Sequence, residues 1–362
     1  MNSALLRILL LVGGASAATG VAAGLSRLGV DIGTPPAWTV RHGPLLVVGF
    51  FTTMIGLERA VASGRIWTLV APTLAAISGV ALLAGLPGAP WMAAASALGL
   101  VVINAAIVSR QAAAFTWLML AASGLLTYGH VLWAAGRPIP LVVPFWMAFF
   151  ILTIAAERLE LSRMAPVPRW ARRLLIATAT LLVVVTMLQS LLTGTAGVPR
   201  WSAVAMGCLI AAIGLWQLRF DLARSTVRHP GQTRYIASAV LTGSAWLVPT
   251  GALMAICGLP PAGALYDAVL HGVFVGYVFS MVFAHATIVL PAVARLRAPF
   301  TPVLYVPLAL LHATLIARIV GDLTASFWLR RVGAVGNAAA LVLFAATMTT
   351  AAMRASRVAH AA

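Results

Sequence analysis

The 362-residue sequence is 62% hydrophobic and 9% charged, with a mean hydropathy of +1.01. A soluble domain carries about 25% charged residues, so this composition excludes a chain whose main solvent is water. The net charge of +17 comes from 24 arginines against 7 acidic residues, with no lysine. In a soluble chain that balance would suggest nucleic acid; here arginines facing lipid headgroups explain it better, and no nucleic-acid partner is expected.

Apolar runs long enough to cross a bilayer fall at about residues 4–25, 43–63, 66–86, 90–109, 112–135 and 139–159, and again at about 173–193, 200–218, 233–258, 266–292, 301–321 and 327–353. The first, with Gly13–Gly14 and Ala15–Ser16–Ala17, has the look of a signal peptide. An even number of crossings agrees better with the arginines, so it is read as a span. Gly/Pro breaks such as Leu86–Pro87–Gly88–Ala89–Pro90 and Gly136–Arg137–Pro138 separate the runs. Two longer loops lie near 159–172 and 219–232. With the N-terminus inside, 17 arginines, Arg295 and Arg297 among them, fall on the cytoplasmic side and 7 on the other. The positive-inside rule then predicts a multi-pass protein of the inner membrane with both termini cytoplasmic. The runs are continuously apolar rather than alternating, which predicts helices and not a barrel. The expected fold is all-α, about twelve transmembrane helices, a single integral membrane domain over 1–362 surrounded by membrane lipids.

An internal echo suggests three four-helix units. Span two has Phe50–Phe51 then Glu58–Arg59, and span six has Phe149–Phe150 then Glu157–Arg158. A His-Gly pair opens span two (His42–Gly43) and recurs in span ten (His271–Gly272). The two Glu-Arg pairs read as ion pairs at helix ends, and Arg318 with Asp322, at i,i+4, as a pair on one helix. Asn104, Gln189 and Asn337 read as interhelical hydrogen-bonders. Trp38, Trp133, Trp146 and Trp328 read as an interfacial belt. Cys208 and Cys257 read as small core residues, with no disulfide framework. Pro249–Thr250–Gly251 is the best candidate for an interrupted span.

Histidine inside a span is uncommon and a functional candidate. His42, His130, His271, His285 and His312 lie in or at the edge of spans, whereas His229 and His360 lie in an Arg-rich loop and the tail. Topology puts His42, His130 and His271 toward one membrane face. At 100° per residue His271 and His285 share a helix face about 21 Å apart. Neutral imidazole is a good iron ligand, and two histidines from facing helices can hold haem without covalent attachment. Arg41 and Arg318 are placed to meet propionates, and Asp267, four residues before His271, to orient its second ring nitrogen.

The run from His42–Gly43–Pro44 to Phe50–Phe51 resembles the second helix of the haem-copper oxidase catalytic subunit. The chain also resembles the NnrS family of twelve-span haem- and copper-containing proteins, by span count over its whole length and by specific motif in spans two and ten alone. The resemblance implies b-type haem held by His42 and His271, and a role in nitric oxide response or in electron transfer with a redox partner. Spans six and seven contain no histidine, so the oxidase copper set is not matched, and copper would have to draw on His130 or His312. No catalysed reaction is identified by these residues. A secondary transporter with a broken span nine, and a cofactor-free assembly subunit of a respiratory complex, are the competing readings.

Overall fold

The computed structural model describes residues 3–193, 197–294 and 299–361; Arg295 and Arg297 lie outside them. Twelve helices are long and apolar enough to cross a membrane. They are α1 (Ser3–Ser26), α2 (His42–Ser63), α3 (Ile66–Ala84), α4 (Ala89–Val108), α5 (Ala114–Ala134) and α6 (Ile139–Met164). The second half holds α7 (Arg169–Leu192), α8 (Arg200–Phe220), α9 (Gln232–Cys257), α10 (Ala264–Val293), α11 (Pro302–Leu323) and α12 (Phe327–Ser356). Every element among the described residues is helical. The protein is an all-α polytopic membrane protein, because only a helix satisfies its own backbone hydrogen bonds along an uninterrupted apolar run.

Consecutive helices pack side by side, α3 on α4, α4 on α5, α8 on α9 and α11 on α12, and α1 reaches α12. Tight turns between them rest on left-handed glycines: Gly64 (φ 65°) ends α2 and Gly85 (φ 75°) ends α3, a conformation that strains any residue with a Cβ. Hydrogen bonds between spans come from the expected side chains. Asn104 on α4 donates to Met119 O and Ser123 on α5, Gln189 accepts from Ser202, and Asn337 donates to Leu311 O and Thr314. Small residues bring backbones together. A Cβ on Gly207 of α8 would sit 2.5 Å from Gly251 O of α9.

Three helices form the centre. In α6, 83% of the most apolar window is buried, against 28–33% in α1, α7, α11 and α12, so α6 faces protein nearly all round while those four face lipid. Helices α2, α6 and α10 meet one another at three depths. At one end His42 faces His271, and Gly43 lies against the Trp146 ring. At the middle depth Phe51 packs on Phe150 (5.1 Å between centroids) and Phe279 (4.9 Å), and Phe150 on Phe274 (5.8 Å). At the other end Arg59 pairs with Glu157 at 2.7 Å and Arg158 reaches His285 at 3.2 Å. Spans two, six and ten, separated by four in the sequence, therefore share the axis.

Three expectations are corrected here. Trp146 is 1% exposed and belongs to the core instead of an interfacial belt, because α6 has no lipid-facing side at that depth. Cys208 and Cys257 are both exposed, since the close α8–α9 face is taken by Gly207 and Gly251. Helix α9 runs unbroken from Gln232 to Cys257 with Pro249 inside it; neighbouring helices accommodate the missing N–H.

Candidate functional site: a histidine pair between α2 and α10

His42 is the first residue of α2, and His271 lies two turns into α10. Their ring centroids are 6.3 Å apart and their planes differ by 13°. Each ring is fixed through Nδ1, at 2.7 Å from Gly20 O for His42 and 2.8 Å from Asp267 O for His271. A carbonyl can only accept, so Nδ1 carries the hydrogen and the neutral ring keeps its lone pair on Nε2. Neither Nε2 has a hydrogen-bond partner among the described residues. The His42 ring lies against α1 only because Gly24 has no side chain: a Cβ there would be 2.7 Å from both Cε1 and Nδ1.

Just after each histidine the helix widens into a π-helical segment, Leu45–Thr52 in α2 and Gly272–Phe279 in α10. The Thr52 hydroxyl donates to Val47 O, five residues back, at 2.8 Å. Segments of this kind are rare and concentrate at functional positions. They also break the 100° spacing, so the shared face expected for His271 and His285 is not kept. His271 turns to α2, and His285 turns to α6.

The carboxylate of Asp267 lies beside the pair, with Oδ1 3.3 Å from His271 Nδ1. It accepts two hydrogen bonds from Arg318, Nε to Oδ2 at 2.8 Å and Nη2 to Oδ1 at 3.0 Å. This corrects the expected Arg318–Asp322 pair. Arg318 points across to α10, and Asp322 is met from α12 by Arg330, at 3.3 Å. Arg41 is engaged too: Nη1 donates to Leu82 O at 2.7 Å and Leu83 O at 3.3 Å, closing the end of α3. Both arginines expected to meet propionates thus have protein partners.

The other histidines stand apart from this pair. His130 is fully buried, with Nδ1 3.1 Å from Ala93 O and its ring between Trp133 and Trp146. His312 accepts from Trp246 Nε1 through Nδ1 at 2.9 Å, which puts its hydrogen on Nε2, the wrong tautomer for a metal ligand there. His285 holds Met281 O through Nδ1 at 2.8 Å, and its Nε2 faces Arg158. No group of three or more His, Cys, Asp or Glu side chains able to hold a metal ion occurs among the described residues. A haem held by two axial histidines does not require one.

Sequence reasoning missed a second polar cluster at the opposite end of α10. Arg158 and Asp221 are both buried, 4.0 Å apart. Asp221 Oδ1 accepts from Ala223 N at 2.7 Å, starting the short helix Ala223–Thr226. Burial pushes the Asp221 carboxyl up from its ordinary range, and the Arg158 guanidinium opposes the shift. Beside it Gln217 donates to Tyr277 Oη at 2.8 Å and accepts from Ser244 at 2.7 Å. Asp221 lies in an Arg-rich loop, where a solvated carboxylate is the natural expectation. Its only sequence signal is that an aspartate can accept a hydrogen bond from the backbone N–H two residues on and so start a turn.

None of the curated proteins matches the chain. Residues 6–353 match the model of a family described as a domain of unknown function, DUF8744, and the chain belongs to that family.

Proposed function

We propose that this is a membrane-embedded b-type haem protein in which His42 and His271 supply the two axial nitrogens. The observation that carries the reading is the ring pair itself. With metal–nitrogen bonds of about 2 Å, two imidazoles on opposite sides of one metal ion stand roughly 6 Å apart, centre to centre, and these rings are 6.3 Å apart. Both have Nδ1 tied to a main-chain carbonyl, the arrangement that orients a metal-bound histidine. A haem bound this way supplies one-electron chemistry. The role proposed for it is nitric oxide response or electron transfer, in an inner membrane with both termini cytoplasmic. Leu45, Val47 and Val48 follow His42, and Val273 follows His271, all buried; they would keep water from the site.

Detergent-purified protein should show a Soret band and a pyridine haemochrome of b type. His42→Ala and His271→Ala should each lose haem while keeping the helical circular dichroism signal. A folded, colourless wild type would sink the reading and favour a cofactor-free assembly subunit, and full haem retention in both variants would remove His42 and His271 as the ligands.

A further inference from the structure

We propose that Arg318 is a positioning residue that sets the donor strength of His271 by holding the Asp267 carboxylate; the proposal rests on the haem reading above. The two proposed ligands are not equivalent. His42 Nδ1 meets a main-chain carbonyl, Gly20 O at 2.7 Å. His271 Nδ1 meets a carbonyl, Asp267 O at 2.8 Å, and also the Asp267 carboxylate at 3.3 Å. A carboxylate facing the N–H of a metal-bound imidazole makes the ring a stronger electron donor and lowers the potential of the metal. That carboxylate is also shared, because Arg318 takes both of its oxygens at 2.8 and 3.0 Å.

A bidentate guanidinium is the strongest partner a carboxylate finds in a protein. The 3.3 Å contact to the ring is the longer one. Arg318 thus draws charge away from His271 and keeps it close to an ordinary imidazole. The arginine sits on α11 and the carboxylate on α10, so packing between those helices fixes the balance. Asp322 on α11 lies 3.3 Å from Arg330 of α12 and also adjoins the Asp267 carboxylate, while Arg318 is the cation hydrogen-bonded to Asp267.

The test is equilibrium redox titration of the haem band, with low-temperature EPR of the ferric form, on the full chain in detergent. Arg318→Gln should bind haem, lower the midpoint potential and change the spread of the low-spin g values. Asp267→Asn should raise the potential. In the double variant the effect of Arg318→Gln should vanish, since the carboxylate that transmits it is gone. A coloured Arg318→Gln protein with unchanged potential overturns the proposal, as does a shift of equal size in the Asp267→Asn background, which would mean direct action of the arginine charge. If Arg318→Gln does not fold, an Asp267→Asn potential equal to that of wild type overturns it alone. A colourless wild type is the separate result that removes the haem reading itself.

Discussion

Arg158 of α6 and His285 of α10 face each other at 3.2 Å, Nη2 to Nε2, with Asp221 closing the group at 4.0 Å from the same arginine. Three helical regions are joined by one buried guanidinium. Removing it leaves a carboxylate without compensation, and breaking a buried ion pair from one side costs about 3–5 kcal/mol. Arg158→Met should therefore lower the thermal midpoint in detergent sharply, whereas Glu157→Gln, at the more exposed Arg59 pair (17% and 23% exposed), should cost about 1 kcal/mol or less. Equal midpoints for the two variants would contradict this.

Asp221 adds a pH dependence. Its carboxyl is pushed above the ordinary aspartate range by burial, so the folded state holds the proton more tightly than the unfolded one. Stability then falls as pH rises from the ordinary value, about 4, to the raised one, and is level above it. Asp221→Asn keeps an oxygen for the Ala223 N–H and removes the titration. Its midpoint should rise relative to that of wild type as pH rises through that window, and melting curves across pH would show it. A constant difference between the two proteins would refute the assignment.

Gly207 and Gly251 let α8 and α9 touch backbone to backbone. A methyl at Gly207 meets Gly251 O at 2.5 Å and Ala255 N at 2.6 Å, atoms that cannot rotate away. Gly207→Ala should cost about 1–3 kcal/mol by overpacking, while Gly14→Ala, where a Cβ meets nothing within 4 Å, should be neutral. Thermal melts of the two variants decide the matter.

At Gly24 the neighbour is the His42 ring. A methyl 2.7 Å from Cε1 and Nδ1 must turn the ring away from Gly20 O. On the proposed function, Gly24→Ala should reduce haem content or shift the Soret band with the fold intact. An unchanged spectrum would show that the ring position is not set by α1.

The twelve spans were legible because each is a continuous apolar run, and length and composition alone determine that signal. The kinship of α2, α6 and α10 was legible from the Phe-Phe and Glu-Arg pairs of α2 and α6 and the His-Gly pairs of α2 and α10; that these three helices form the axis was not. Partnerships were not. Arg318 has Asp322 one turn away on its own helix, yet its side chain crosses to Asp267, because packing decides which face of α11 meets α10. Trp146 carries the same side chain as Trp328, and only burial separates them, at 1% and 68% exposure. The π segments leave no mark in hydropathy, so a constant 100° step put His285 on the wrong face.

The phenylalanines at mid-depth have a mechanical consequence. Phe51, Phe150, Phe274 and Phe279 fill the axis where the three central helices meet, between a histidine level and an arginine level. Hydrated ions travelling along this axis would meet a dry septum, and several rings would have to swing together before a wetted path opened. In the arrangement described, the axis is a closed apolar partition between a histidine pair and a buried arginine cluster.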